Sequence, residues 1–292
     1  MTQPAPASPT PAKRRGLVLI PAFNEEGGLG AVLDEVHRHT HFDILVIDDG
    51  SHDATAKVAR AHGATVLRHP FNMGYGAALQ TGYKFASEGD YEVLVQLDAD
   101  GQHDPAYIPV LAERVLSGQS DVSVGSRFLT GDGYIPPLAR RLGMVLFGYI
   151  ASVVTHRRVT DPTSGYQALG RRVFRFFQSD LFPADYPDAD VLILIYRAGF
   201  RGEEIPVAMK PSATGKSMHS GLLRPLFYVF KMFLSILVTI LRKPPNPDQI
   251  PPPNPERRRL TSERVETTRG VRRPNAAPKG EPEGSADSRA AG

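Results

Sequence analysis

The 292-residue sequence contains no cysteine and no tryptophan. The missing cysteines exclude a disulfide-stapled secreted fold, a thiol nucleophile and a metal site built on thiolates. Neither sign of charge is in large excess, since 34 Lys and Arg face 31 Asp and Glu. The charge balance therefore gives no indication of nucleic-acid binding, and no nucleic-acid partner is expected. Apolar residues make up 41% of the chain, which is enough to form a sizeable core.

Long apolar runs are also scarce. The run Gly16–Ala22, behind a Pro- and Ala-rich N-terminal segment, is too short for a signal peptide and favours a cytosolic chain. A second apolar stretch, 221–243, is interrupted by Arg224 and Lys231, and its uninterrupted part Met232–Leu241 has ten residues. A bilayer span needs about 20. The stretch predicts an amphipathic helix in the bilayer interface, or alternatively a helix packed on the core of its own domain.

Proline indicates where the domain ends. Four of the 26 prolines lie in residues 1–12 and ten lie in 243–292. Both ends are also poor in aromatic residues and cannot bury enough apolar surface to offset the entropy of ordering. We therefore predict a disordered arm over 1–14, a domain over 15–220 and a disordered Pro/Arg-rich tail over 244–292. The basic tail favours a solubilising role or contact with anionic lipid.

Between these ends, short apolar strands alternate with amphipathic helices. The predicted strands are Leu17–Ile20, Ile44–Ile47, Thr65–Leu67, Glu92–Leu97 and Asp121–Gly125. The predicted helices are Glu25–His39, Ala54–Ala61, Gly74–Ala86, one opened by Pro105, and Tyr186–Arg197. This alternation predicts an α/β fold whose mostly parallel sheet is covered by helices on both faces. Such sheets bind ligands at the carboxyl ends of their strands.

Acidic residues directly follow two of these strands. Asp48 and Asp49 end the second strand, and Asp98 and Asp100 follow the fourth. Carboxylates at the end of an apolar strand are costly unless something neutralises them. Asp98 and Asp100 are two residues apart and can reach one cation, and oxygen ligands suit Mg²⁺ or Mn²⁺. For Asp48 and Asp49, a turn that leads into a helix N-cap is an equally good explanation.

A glycine-containing segment, Asn72–Ala78, opens the third helix. Its glycines allow either the close approach of a phosphate to the helix N-terminus or close helix packing. The G-x-G-x-x-G pattern does not follow the first strand, and the sequence has no G-x-x-x-x-G-K-[ST] loop. A nicotinamide-dependent dehydrogenase and a P-loop enzyme are therefore disfavoured.

Five motifs follow one another in the order of a known family. They are Ile20–Glu26, Asp48–Ser51 with Asp53 and Thr55, Asn72-x-Gly74-x-Gly76, Asp98–Gln102, and Gly125–Phe128. The chain resembles the family 2 glycosyltransferases over roughly residues 16 to 217, and within them the dolichol/polyprenol-phosphate mannosyl- and glucosyltransferases. The resemblance implies a GT-A fold, a UDP- or GDP-sugar donor, Mg²⁺ or Mn²⁺, and inversion at the anomeric carbon.

The resemblance also implies roles for individual residues. The expected ligands of the nucleotide-sugar are Pro21, Phe23, Glu25, Ile47, Asp49 and Ala99. Asp98, Asp100 and Gln102 would hold the metal, which binds the donor diphosphate. This agrees with elementary chemistry, because a cation stabilises the negative charge that grows on the leaving phosphate.

The acceptor side carries the remaining expectations. The resemblance implies that Arg127 and Arg141 bind phosphate of the acceptor, and Arg127 alternatively contacts the donor. The arginine of the family's Arg-x-x-Gly-x-Ser element is replaced by Ser212, so Lys216, or alternatively Lys210, is the predicted source of positive charge. Asp190 occupies an acidic position of the family. It would act as a general base toward a hydroxyl acceptor, whereas a phosphate acceptor, already an anion, needs no base.

The sequence therefore predicts an inverting glycosyltransferase that moves a hexose to a lipid-linked phosphate, with Asp98, Asp100, Arg127 and Asp190 as catalytic residues. The alternatives are transfer to a sugar hydroxyl in cell-surface polysaccharide synthesis, and a nucleotide-binding scaffold without catalysis. The enzyme is expected in the cytoplasm, peripheral on the inner face of the cell membrane. The sequence gives no oligomeric state.

Overall fold

The computed structural model describes residues 15–129, 138–179, 182–183, 187–210, 223–243, 246–247 and 261. The side chains of 138–142 and 223–228 lie outside the description. The predicted arm and nearly all of the predicted tail lie outside it as well. Thr261, one described residue of the tail, is buried and donates a hydrogen bond from its hydroxyl to Glu88 Oε2 (3.1 Å).

A seven-stranded sheet forms the centre of the described domain. Its strands are β1 (Gly16–Ala22), β2 (Asp43–Asp48), β3 (Thr65–Arg68), β4 (Val93–Gln96), β5 (Val122–Ser126), β6 (Gln167–Gly170) and β7 (Gly202–Pro206). The spatial order is β3-β2-β1-β4-β6-β5-β7. All neighbouring pairs are parallel except the two that involve β6, which runs antiparallel to β4 and β5. The predicted mostly parallel sheet is confirmed.

Helices cover both faces of this sheet. They are α1 (Leu29–His39), α2 (Thr55–Ala61), α3 (Tyr75–Glu88), α4 (Ile108–Leu116), α5 (Leu138–Thr155), α6 (Arg171–Phe176), α7 (Ala189–Arg197) and α8 (Leu223–Leu241). A short 3₁₀ helix, Pro105–Tyr107, precedes α4. Helices α3, α5, α6, α7 and α8 bury side chains in one core cluster, and α1, α2 and α4 in another on the opposite face. The result is a three-layer α/β/α domain.

The first helix begins later than the sequence pattern predicts. Its predicted start is Glu25, whereas α1 begins at Leu29. The backbone N–H groups of Glu25 and Glu26 donate to the side chains of Thr55 (2.8 Å) and Asp53 (3.2 Å), so they are bonded across to the loop after β2. Residues that precede α1 therefore belong to a loop, which is one edge of the candidate site.

Strands β6 and β7 were not predicted from the sequence. Strand β6 has four residues, Gln167–Gly170, and its side chains show no clear alternation of polar and apolar character. It is nevertheless hydrogen-bonded on both sides, to β4 and to β5. A short strand in the middle of a sheet is stabilised by its two neighbours, and those contacts are not visible in its own sequence.

The apolar stretch 221–243 contains the helix α8, as predicted. Among the residues that the structure describes, no helix has the length and apolarity needed to cross a membrane. Helix α8 does bury Met232 and Ile236 against the domain, which is the alternative that the sequence left open. Its other face exposes large apolar side chains: Phe230, Phe233, Leu234, Leu237, Val238 and Leu241. The helix therefore both packs on the core and carries an exposed apolar face.

Candidate active site

The carboxyl ends of β1, β2 and β4 form one edge of the sheet. Strand β1 pairs with β2 on one side and β4 on the other, so the strand order reverses direction here. A crevice opens at such a reversal between loops that depart to opposite faces, and open α/β sheets bind their ligands there. The loops that follow these three strands carry most of the residues predicted from the sequence.

Asp98 is held in place by one side chain from α3 and one from the loop that follows β4. The Tyr75 hydroxyl, at the start of α3, donates to Asp98 Oδ1 (2.9 Å). The backbone N–H of Asp98 donates to His103 Nδ1 (3.0 Å). The His103 ring is buried and stacks on Tyr166, with 5.0 Å between ring centroids. The Asp98 side chain itself is about one-third exposed (35%) and remains accessible at the crevice.

Asp100 and Gln102 lie on the turn that follows Asp98. The backbone N–H of Gln102 donates to Asp100 Oδ1 (3.0 Å), and the Gln102 side-chain amide donates to Asp100 Oδ2. Gly101 lies between them with a φ of +76°, a left-handed conformation that glycine adopts without strain. This turn keeps the side chains of Asp100 and Gln102 together on the crevice side of β4.

The donor set of this turn fits a hard divalent cation. Asp98, Asp100 and Gln102 offer carboxylate and amide oxygens, the ligands that Mg²⁺ and Mn²⁺ prefer. A Cβ at Gly165 would lie 3.6 Å from Asp98 Oδ2, so the glycine leaves space beside this carboxylate. Within the described ranges, no group of three or more His, Cys, Asp and Glu residues is arranged to hold a metal.

The loop after β1 is fastened to the loop after β2. The backbone N–H of Asn24 donates to Ser51 Oγ (3.0 Å), and Asn24 Oδ1 accepts from the N–H of His52 (2.8 Å). Phe23 is 40% exposed, and its ring meets the His52 ring edge-to-face at 6.4 Å. An exposed aromatic ring on a fixed loop is a suitable surface for a nucleobase.

Other residues predicted to contact the nucleotide lie at the same edge but are buried. Pro21 and Ile47 are partners in the register of β1 and β2, and both are buried. Ala99 is also buried, and Glu25 is half-buried on the loop after β1. The fold therefore brings these four positions to one region between β1, β2 and β4.

Asp49 contacts the segment that leads into α3. Its Oδ1 accepts from the N–H of Met73 (2.9 Å) and lies 2.7 Å from His69 Nδ1, and its Oδ2 accepts from the N–H of Gly74 (2.9 Å). The Asp49 side chain is buried. These contacts fix the glycine-containing segment against the end of β2, a positioning role that the sequence did not indicate.

Arg127, predicted to bind phosphate, is paired with Asp161. Its Nε donates to Asp161 Oδ2 and its Nη2 to Asp161 Oδ1, both at 2.7 Å, and Nη2 also donates to Thr163 Oγ1 (2.9 Å). The Arg127 side chain is 8% exposed and that of Asp161 is fully buried. This bidentate pair fastens the segment 161–165, which includes Gly165, to the end of β5.

The predicted acceptor ligands Arg141 and Lys216 cannot be placed in the site. The backbone of Arg141 lies in the first turns of α5, but its side chain is outside the description, and Lys216 lies outside the described residues altogether. Their roles remain predictions.

Comparison with known proteins identifies the family. Residues 17–177 match the model described as glycosyl transferase family 2. The chain belongs to this family. The glycosyltransferase is 32% identical to the polyprenol monophosphomannose synthase of Mycolicibacterium smegmatis, and the match covers 75% of this chain and 84% of the relative. It is 30% identical to the undecaprenyl-phosphate mannosyltransferase of Micrococcus luteus, over 71% of this chain and 88% of the relative.

A solved structure supports the fold. Glucosyl-3-phosphoglycerate synthase from Mycobacterium tuberculosis, crystallised with Mn²⁺ and UDP-glucose, matches the glycosyltransferase with a TM-score of 0.60 and 22% identity. The match covers 78% of this chain and 79% of that one. At this identity the likeness concerns the fold alone. The predicted GT-A fold and the predicted family, with its polyprenol-phosphate branch, are confirmed.

Asp190 of the glycosyltransferase lies beneath α8. Its Oδ1 accepts from the backbone N–H groups of Asp188 (3.1 Å) and Val191 (2.9 Å), and its Oδ2 accepts from the Ser235 hydroxyl. The residue is 1% exposed. Burial raises the pKa of the Asp190 carboxyl above its ordinary value, although these hydrogen bonds oppose the rise. The hydrogen bond from Ser235 to Asp190 therefore connects α8 to α7. The catalytic role of Asp190 stays a prediction.

The raised pKa of Asp190 predicts a pH dependence of stability. Between the ordinary pKa of 3.8 and the raised value, folded Asp190 keeps its proton while the unfolded chain has released it. The free energy of unfolding should therefore fall as pH rises through this window, by about 1.4 kcal/mol per unit of pKa difference. Asp190→Asn cannot titrate, so its stability should rise relative to the wild type over the same window.

Urea unfolding of both proteins from about pH 4 to about pH 7 measures this difference. Asp90→Asn, at a partly exposed carboxylate before β4, serves as the control and should follow the wild type. A stability difference between Asp190→Asn and the wild type that does not change with pH would contradict the raised pKa.

Several contacts of the site were not predicted from the sequence. Tyr75, His103 and Gly165 lie around Asp98, and Asp161 and Thr163 bind Arg127. Tyr75 lies within the motif Asn72-x-Gly74-x-Gly76, and His103 directly follows the motif Asp98–Gln102, so the sequence did place both residues next to recognised motifs. Nothing in the sequence pairs Asp161 with Arg127, since the two residues are 34 positions apart.

Proposed function

We propose that this glycosyltransferase transfers a hexose from a UDP- or GDP-sugar to a polyprenyl phosphate at a membrane surface, with inversion at the anomeric carbon. The observation that carries the proposal is the placement of Asp98, Asp100 and Gln102 at the carboxyl end of β4, beside the loops after β1 and β2. The names of the two similar mannosyltransferases support the lipid-phosphate acceptor. The UDP-glucose complex of the similar fold supports a nucleotide-sugar donor.

The donor diphosphate would bind at the turn after β4. Asp98, Asp100 and Gln102 would hold Mg²⁺ or Mn²⁺, which when bound offsets the negative charge of the leaving diphosphate. The nucleoside would lie against Phe23, with Pro21, Glu25, Ile47, Asp49 and Ala99 forming its surroundings. Several of these residues are buried, so they would act through backbone atoms or by shaping the crevice.

The acceptor chemistry agrees with the position of Asp190. A phosphate oxygen attacks the anomeric carbon, a sugar–phosphate bond forms, and the bond to the donor diphosphate breaks. No proton has to leave the nucleophile, so no general base is required. A hydroxyl acceptor would need such a base, and Asp190 is buried under α8 with hydrogen bonds to both of its oxygens. This favours phosphate over a sugar hydroxyl as the acceptor.

Direct assay tests the transfer. The full chain would be incubated with Mn²⁺, a polyprenyl phosphate and each of a set of UDP- and GDP-sugars, and the lipid extract analysed by mass spectrometry. The donor that gives product should also raise the melting temperature of the protein, because a ligand stabilises the state that binds it. Sugar transfer to hydroxyl acceptors with none to polyprenyl phosphate would reject the proposed acceptor. The absence of both transfer and donor hydrolysis would favour the scaffold.

The membrane surface is expected to meet α5 and α8 together. Helix α5 exposes Val145 (65%), Tyr149 (69%) and Val153 (53%), and the ring of Phe147 on α5 lies 5.7 Å from that of Phe233 on α8. The two helices thus touch through this pair of rings. Neither helix contains Asp or Glu. An apolar surface without carboxylates, with Lys231 on α8 and Arg242 and Lys243 at its end, fits an anionic bilayer interface.

Liposome flotation tests this surface. The full-length protein should float with anionic liposomes at low salt, and added salt should release part of it. Val145→Glu on α5 and Leu237→Glu on α8 should each weaken binding about tenfold, because a charge replaces an apolar side chain that the lipid would bury. Val110→Glu is the control, since Val110 is 40% exposed on α4, across the sheet. Wild-type protein that stays unbound at low salt would refute membrane docking.

A further inference from the structure

The contacts of Tyr75 link two parts of the candidate site. Tyr75 is the first residue of α3 and follows the segment whose backbone N–H groups are bound by Asp49. Its hydroxyl reaches across the crevice and donates to Asp98 Oδ1 (2.9 Å). The Tyr75 side chain therefore connects the end of β2, through Asp49, with the end of β4.

The surroundings of the hydroxyl define its position closely. A Cβ at Gly165 would lie 3.0 Å from the Tyr75 hydroxyl, so a larger residue there would require the hydroxyl to shift by a few tenths of an ångström. The Tyr75 hydroxyl is the donor of this hydrogen bond, and the Asp98 carboxylate is the acceptor.

A hydrogen bond of this kind limits the rotation of a carboxylate. With Oδ1 bound to Tyr75, the orientation of Oδ2 is fixed, and Oδ2 lies 3.8 Å from His103 Nδ1, beyond hydrogen-bond distance. Groups that hold metal-binding carboxylates in this way commonly change metal affinity by about 10- to 100-fold when removed. The Tyr75 ring need not touch the cation to have this effect.

We propose that Tyr75 is a positioning residue that orients the Asp98 carboxylate for a divalent cation. The inference rests on the proposed metal-dependent function. It adds a residue outside the predicted ligand set, and it makes cation binding depend on the segment that Asp49 holds.

Binding of Mn²⁺ to the full chain tests the inference without an activity assay. The electron paramagnetic resonance signal of free Mn²⁺ would be titrated with protein in the presence of UDP, and separately of GDP. Tyr75→Phe removes only the hydroxyl and should weaken Mn²⁺ binding about 10- to 100-fold. Tyr91→Phe is the matched control, because it removes a buried hydroxyl that bonds Asp43 Oδ2 (3.1 Å), before the start of β4. It should bind Mn²⁺ like the wild type.

The wild-type titration separates failure of the function from failure of the inference. If the wild type fails to bind Mn²⁺ both in the presence of UDP and in the presence of GDP, the metal-dependent function is wrong and the inference is wrong with it. If the wild type binds and Tyr75→Phe binds equally well, the positioning role alone is wrong. Should Tyr75→Phe not fold, Gly165→Ala replaces it, since its Cβ, 3.0 Å from the hydroxyl, would require the hydroxyl to shift from its present position. Unchanged Mn²⁺ affinity in Gly165→Ala would likewise overturn the inference.

Discussion

Replacement of Asp98 or Asp100 by asparagine is expected to lower sugar transfer by about 10²- to 10³-fold. Both changes remove a negative charge that the proposed cation needs, while the amide keeps nearly the same shape. The asparagine oxygen can still accept from Tyr75 at position 98, and from the N–H of Gln102 at position 100. The free energy of unfolding should therefore change by less than about 1 kcal/mol.

Steady-state rates with saturating Mn²⁺ and urea unfolding of the same preparations check this expectation. Asp90→Asn again provides the control. Asp90 precedes β4 and Asp98 follows it, so the two carboxylates lie at opposite ends of this strand. It should leave both rate and stability unchanged. Near-normal rates in both Asp98→Asn and Asp100→Asn would remove the cation from the proposed mechanism.

Arg127→Ala is expected to lower the free energy of unfolding by about 3–5 kcal/mol. The substitution leaves the fully buried carboxylate of Asp161 without its bidentate partner. An uncompensated buried charge is far more destabilising than the loss of an exposed ion pair. Arg127→Lys should be intermediate, because lysine keeps the charge but cannot make the two parallel hydrogen bonds.

Arg201→Ala is the matched control for this prediction. Arg201 pairs with Asp121 at 3.4 Å, but its side chain is 59% exposed. Loss of that pair should cost about 0–1 kcal/mol. Urea unfolding at low temperature measures all three variants. If Arg127→Ala keeps wild-type stability and instead loses affinity for the phosphate acceptor, the phosphate-binding role expected from the sequence is the better description of Arg127.

The sequence by itself determined the first half of the fold. The strands β1 to β5 and the helices between them follow from apolar runs, helical periodicity and short loops, all of which are local properties. The late start of α1 and the strands β6 and β7 could not be predicted from these local properties. Their positions depend on hydrogen bonds to distant segments: α1 on side chains after β2, and β6 on two flanking strands.

The candidate site also has a part that was predicted from the sequence and a part that only the structure shows. Asp98 and Asp100 were predicted from the sequence because they directly follow one strand and so lie at one end of the sheet, and the family resemblance added Gln102. The contacts that orient them come from Tyr75, His103 and Gly165, and only the tertiary structure brings Tyr75 and Gly165 to Asp98.

Arg127 and Asp190 show that composition and motif order do not predict the partners of a buried side chain. Their positions in the chain predicted phosphate binding and catalysis. In the fold Arg127 is bound to a carboxylate 34 residues away, and Asp190 accepts from a hydroxyl 45 residues away on α8. Which partner satisfies a buried charge is settled by long-range packing, because desolvation makes a charged group pair with a group that the fold brings within reach. The sequence therefore predicted the end of the sheet at which the candidate site lies, and the tertiary structure decided which side chains there are exposed and which are bound to other groups.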